Sequence, residues 1–218
     1  MYNKIEIEQK VAEFLLQIKA IKLQPNNPFT WASGLKSPIY CDNRITLSHP
    51  QVRTYIRQKL TELVVEEYGT SGVIAGVATA GIPQGALVAQ ELGLPFIYVR
   101  SSAKEHGTGK LIEGEINPAQ RVVVIEDLIS TGKSSLQAIE TLRNAGYEVA
   151  GLAAIFSYGF SAATENFANA KIKFSTLSNY PALINYAATH NYINKADLVL
   201  LSEWAQNPEK WGEELVND

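Results

Sequence analysis

A chain of 218 residues, 46% hydrophobic and 19% charged, is long enough to bury a full core, which excludes a disordered or fibrous polymer and favours one domain with an embellishment. A net charge of −3 and a pI near 5.7 supply no global basic field, so neither nucleic acid nor a membrane surface is expected as a partner and any phosphate site must be local. The single cysteine, Cys41, excludes an internal disulfide and suits the cytoplasm; charges recur up to Lys22 and no run of about 18 apolar residues occurs, so neither a signal peptide nor a spanning helix is expected.

In residues 4–20, Ile5, Val11, Ala12, Leu15, Leu16 and Ile18 recur at helical spacing and predict an amphipathic helix. The stretch 23–44, LQPNNPFTWASGLKSPIYCDNR, carries three prolines, adjacent asparagines and a glycine, and predicts loops or short extended pieces suited to a flap. Val52, Ile56, Leu60, Leu63 and Val64 return the pattern to a helix over 50–68. From residue 72, short apolar runs alternate with helical segments: GVIAGVAT, a helix near 83–92, PFIYVR, RVVVIED, a helix near 132–145, and EVAGLAAIFSY. A short helix, a strand candidate at 171–179 and helices near 181–189 and 194–206 follow.

Nearly continuous apolar strands alternating with helices predict an α/β fold with a central, mostly parallel sheet flanked by helices. One domain over 1–218 is expected, with an N-terminal helix and flap or hood at 1–48 and an α/β core with C-terminal helices at 49–218. Ligands bind such sheets at the carboxyl ends of the strands, so the turns after Thr79, Arg100, Asp127 and Tyr158 should share one rim.

The segment 122–135, VVVIEDLISTGKSS, carries the most chemistry. Its buried run ends in Glu126 and Asp127, and Ser130, Thr131, Gly132, Lys133, Ser134 and Ser135 lead into a helix. Small residues before a helix N-terminus let backbone N–H groups converge on a phosphate, which the helix dipole favours. The carboxylates would repel a bare phosphate but suit sugar hydroxyls and a magnesium ion. A P-loop is excluded by spacing, because the glycine it needs five residues before Gly132 is Asp127.

The whole pattern resembles the ribosyl-diphosphate motif of type I phosphoribosyltransferases: a hydrophobic strand, two acidic residues, two apolar residues, then a hydroxyl- and glycine-rich loop. The resemblance implies that fold and a site in which Glu126 and Asp127 meet the ribose hydroxyls. Leu128, Ile129, Ser130, Thr131, Gly132, Lys133 and Ser134 then belong to the ribosyl-diphosphate site, with the 5-phosphate cradled by the loop at 130–135. After PFIYVR, the stretch 101–115, SSAKEHGTGKLIEGE, predicts a mobile loop, with Arg100, Lys104 and His106 able to serve a diphosphate. Arg100, Lys104, His106 and Gly107 are similar to the catalytic loop of orotate phosphoribosyltransferases, FTWASGLKSPIYCDNR to their flap, and VATAGIPQGALVA at 77–89 to their diphosphate-side loop.

That resemblance implies transfer of a phosphoribosyl group to orotate, with Lys104, His106 and Asp127 catalytic and Ser130, Tyr40 and Lys36 at the acceptor. It further implies Mg²⁺ as cofactor, held mainly by the ribosyl diphosphate and water near Glu126 and Asp127 rather than by protein ligands. A homodimer whose mobile loop reaches the neighbouring site is implied as well. The chain departs from the pattern at Ala32, where many members have a lysine, and at Ser101, where many have a second basic residue. A phosphoribosyltransferase for a purine or uracil base, or a non-catalytic regulator sensing the ribosyl diphosphate, are the alternatives. Cys41 reads as a buried small side chain, His49 and His190 as structural or surface residues, and the tryptophans as packing.

Overall fold

The computed structural model describes residues 3–31, 34–70, 72–102, 110–115, 117 and 120–211. In chain order the elements are α1 (Lys4–Gln17), β1 (Ile21–Leu23), β2 (Phe29–Thr30), β3 (Lys36–Ser37), β4 (Ile39–Cys41), a 3₁₀ helix (Asn43–Ser48), α2 (Pro50–Tyr68), β5 (Val73–Val77) and α3 (Gly81–Leu92). They continue with β6 (Phe96–Val99), β7 (Ile112–Glu113), β8 (Arg121–Ile129), α4 (Lys133–Asn144), β9 (Glu148–Ser157), α5 (Ser161–Asn169), β10 (Phe174–Asn179), α6 (Tyr180–Thr189) and α7 (Lys195–Gln206).

Six strands form the central sheet in the order β10-β9-β8-β5-β6-β7. Every neighbouring pair is parallel except β6 and β7. Because side chains alternate across a strand, Val123 and Ile125 of β8 enter one core with α1, α2, α3, α6 and α7, while Val122 and Val124 enter a second with α4 and α5. That two-sided burial is why the strands read as unbroken apolar runs. Helix boundaries follow local chemistry: Pro50 opens α2, Asn179 caps α6 by accepting from the Ala182 N–H at 3.0 Å, and Asn194 and Asp197 form a reciprocal capping box on α7.

Two features differ from expectation. The acidic pair does not end its strand: β8 runs on to Ile129 because β9 stays beside it, with Leu128 opposite Phe156 and Ile129 opposite Ser157. On its other edge, β5 accompanies β8 only as far as Gly76 opposite Ile125, so Glu126 and Asp127 lie in a half-paired stretch. The rim therefore begins after Ile129. Within the segment expected to be a loop, Ile112 and Glu113 pair antiparallel with Val99 and Tyr98, because Ile112 has an apolar core to pack against at the sheet edge.

The hood is built from β1 against β4 and β2 against β3, both antiparallel. Trp31 pins it: its indole N–H donates to the Ile39 carbonyl at 3.2 Å, and its ring lies 5.6 Å from Tyr158 and 5.9 Å from Trp204. Trp204 is fully buried among Trp31, Tyr158, Phe160 and Tyr180, so these tryptophans pack as expected. Among the described residues no helix is long and apolar enough to cross a membrane.

Candidate active site

The end of β8 holds Glu126 where water scarcely reaches it, at 5% exposure. One carboxylate oxygen accepts from the Asp127 N–H at 3.0 Å and the other from the Ser135 hydroxyl at 3.2 Å. The first turn of α3 lies directly over this point; a Cβ on Gly81 would stand 2.5 Å from the Ile125 carbonyl oxygen, so only glycine admits the approach. Burial pushes the Glu126 carboxyl well above the ordinary range, and the adjacent Asp127 charge adds to it. Asp127 is raised as well, again by burial, with hydrogen bonding and the Arg44 charge opposing. Two raised, adjacent carboxyls favour a partner that brings hydroxyl donors or a cation.

Beyond Ile129 the chain turns through Ser130, which is half-buried, and Thr131, which is exposed. Gly132 has φ +78°, and a Cβ there would meet the Phe167 ring at 2.5 Å, so both conformation and space require glycine. Helix α4 then starts at Lys133 without a side-chain cap, and Lys133 and Ser134 in its first turn are exposed, an end suited to an anion. Asn166 of α5 fastens the turn from behind, its amide donating to the Thr131 carbonyl at 3.0 Å. The side chains of Leu128 and Ile129 pack into the two cores, so these two candidates can reach a ligand only through their backbone.

Across the rim, the Ala78–Thr79 peptide is cis, and the Ala78 N–H donates to the Val99 carbonyl at 2.8 Å. Arg100 follows β6; its backbone N–H donates to the Leu111 carbonyl at 2.8 Å and its guanidinium lies 3.4 Å from Glu113. Lys104 and His106 lie outside the described residues, as does Ala32. In the hood, the Lys36 ammonium donates to the Thr30 hydroxyl at 3.0 Å, and Tyr40, 39% exposed, sits 5.6 Å from the Phe29 ring. Tyr40 is therefore a surface residue of the hood rather than core.

Three side chains that sequence reasoning did not single out hold the site together. Asn43 donates to the Asp127 carbonyl at 2.8 Å, Gln84 donates to the Thr46 hydroxyl at 3.2 Å, and Asn166 holds the Thr131 carbonyl. Each is a lone amide in its segment with no periodicity to mark it. Cys41 points its thiol at the Asn43 amide oxygen, 3.4 Å away. Burial first, and the Asp127 and Asp42 charges second, push that thiol up, which disfavours the thiolate a nucleophile needs.

A model of the phosphoribosyl transferase domain matches residues 47–178, more than half of the chain. The orotate phosphoribosyltransferase of Phocaeicola vulgatus is 56% identical over 205 residues, covering 94% of this chain and 97% of that one. That of Listeria monocytogenes is 55% identical over 208 residues, covering 95% and 100%. Among solved structures, the orotate phosphoribosyltransferase from Aeropyrum pernix has a TM-score of 0.73 at 29% identity, covering 84% of this chain and 99% of its own. With this agreement along nearly its whole length, the chain belongs to the phosphoribosyltransferases and, among them, to the orotate phosphoribosyltransferase family.

Proposed function

We propose that the chain transfers the 5-phosphoribosyl group of 5-phospho-α-D-ribose 1-diphosphate to a ring nitrogen of orotate, giving orotidine 5-phosphate and diphosphate, a step of pyrimidine synthesis. The observation that carries this is the buried Glu126–Asp127 pair standing just before an uncapped helix N-terminus, in a chain more than half identical to orotate phosphoribosyltransferases.

The 5-phosphate takes the N–H groups of residues 130–135, with the Thr131 and Ser134 hydroxyls and the Lys133 ammonium completing the cradle. The ribose hydroxyls donate to Glu126 and Asp127. The diphosphate lies between the Ala78–Gly81 turn and Arg100, and Lys104 and His106 are assigned to it as well. As the C1–O bond loosens, positive charge grows on the ribose and negative charge on the departing diphosphate; Asp127 faces the first, and Arg100, Lys104 and His106 face the second. Orotate attacks from the hood side, where Lys36, Tyr40 and Ser130 supply a cation, a ring and a hydroxyl.

Mg²⁺ is the expected cofactor, a hard ion held mainly by oxygens of the ribosyl diphosphate and by water, with Glu126 and Asp127 nearby. When bound, the ion supplies charge neutralisation on the diphosphate. The working unit in this reading is a cytoplasmic homodimer, with the loop bearing Lys104 and His106 serving the partner's site. The single cysteine, too few for an internal disulfide, fits that compartment.

Incubated with the ribosyl diphosphate and Mg²⁺, the protein should release diphosphate only when orotate is present. Equal release without any acceptor would make it a hydrolase and refute the transfer.

A further inference from the structure

Asn43 is 1% exposed, the first residue of the 3₁₀ helix, and two residues past the end of the hood. Every polar group it carries on the side chain has a partner. Its Nδ2 donates to the Asp127 carbonyl at 2.8 Å and its Oδ1 accepts from the Cys41 thiol at 3.4 Å. Because a carbonyl only accepts, the Asp127 contact fixes which end of the amide faces which partner. Its own carbonyl accepts from the Thr46 hydroxyl at 2.6 Å, and Thr46 in turn accepts from Gln84 of α3 at 3.2 Å. One buried residue thus joins the hood, the acidic end of β8 and the helix whose first turn covers Glu126.

The position it fills is set by the sheet. β5 pairs with β8 only to Ile125, so the stretch carrying Asp127 lacks a strand neighbour on that edge and needs a donor from elsewhere. Asn43 supplies it from the hood side. Locally the amide is held in place: Asp42 accepts from the Arg44 backbone N–H at 3.2 Å and from its guanidinium at 2.6 and 3.0 Å, which secures the start of the 3₁₀ helix. We infer that Asn43 is a positioning residue for Asp127, setting the direction of that carboxylate toward the ribose from an anchor at the base of the hood. This rests on the function proposed above.

The test is steady-state kinetics on the full chain with both substrates varied, for Asn43→Ala, for Asn43→Asp, which keeps the shape but turns the donor into an acceptor, and for Thr46→Val. Both Asn43 variants should raise KM for the ribosyl diphosphate by about tenfold, the size expected when a buried carbonyl loses its donor, while KM for orotate stays within about twofold. Thr46→Val disturbs the same buried layer but leaves the Asp127 contact, so it should lower the melting temperature without moving KM. If Asn43→Ala does not fold, Asn43→Asp is read in the same way. A ribosyl-diphosphate KM within about twofold of the parent in the Asn43 variants, or an equal change in Thr46→Val, would overturn the inference. A parent chain that forms no orotidine 5-phosphate in this assay would instead overturn the proposed function on which the inference stands.

Discussion

Glu126 shows how the site sets binding against stability. Its carboxyl is raised in the fold by burial and by the neighbouring Asp127, so the native state holds a proton more readily than the unfolded chain does. The stabilisation that the protonated form provides is complete below the unfolded carboxylate range and is lost as pH rises through the folded value. At neutral pH, above the unfolded carboxylate range, that stabilisation is reduced and the buried acid is a cost to the fold. Glu126→Gln can keep both contacts, accepting from the Asp127 N–H and donating to the Ser135 hydroxyl, without the charge. It should melt higher than the parent at neutral pH, by about 2–4 °C for each kcal/mol recovered, and the gap should close at pH about 4, where the parent is itself protonated. In the proposed site the same change removes an acceptor for the ribose hydroxyls, so KM for the ribosyl diphosphate should rise by about tenfold. Differential scanning calorimetry at the two pH values and initial rates check both halves; a variant that melts lower at neutral pH contradicts this account of Glu126.

At the level of elements, the turn from β8 to α4 depends on one position. An alanine at 132 would have to keep φ near +78°, costing about 1–2 kcal/mol in an L-residue, and its Cβ would press on Phe167. Gly132→Ala should displace the start of α4 and raise KM for the ribosyl diphosphate more than KM for orotate. Equal effects on the two would show that the turn is not a phosphate cradle. This turn and the helices beside it are legible in the sequence, since apolar periodicity, Pro50 and the hydroxyl-rich run before Lys133 act over a few residues. The length of β8 is not, because Leu128 and Ile129 are strand only by virtue of Phe156 and Ser157 lying opposite, nearly thirty residues away. The edge strand at Ile112–Glu113 escapes for the same reason. Asn43, Gln84 and Asn166 escape because the role of each amide is defined by partners 35 to 84 residues distant rather than by its neighbours in the chain.

Taken whole, the proposed function puts the donor site on the rigid sheet and the acceptor side on a small hood. The Trp31–Tyr158–Trp204 cluster ties that hood to the turn just after β9 and to α7, and Asn43 ties it to β8. In that reading one motif binds the ribosyl diphosphate while the hood selects the base, so the choice of acceptor is the central claim. It is tested most directly by offering orotate, uracil, hypoxanthine and adenine separately to the protein with the ribosyl diphosphate and Mg²⁺, and following consumption of each base. Consumption of orotate with formation of orotidine 5-phosphate, the other three being left untouched, is the predicted result. Consumption of a purine or of uracil but not of orotate would contradict it.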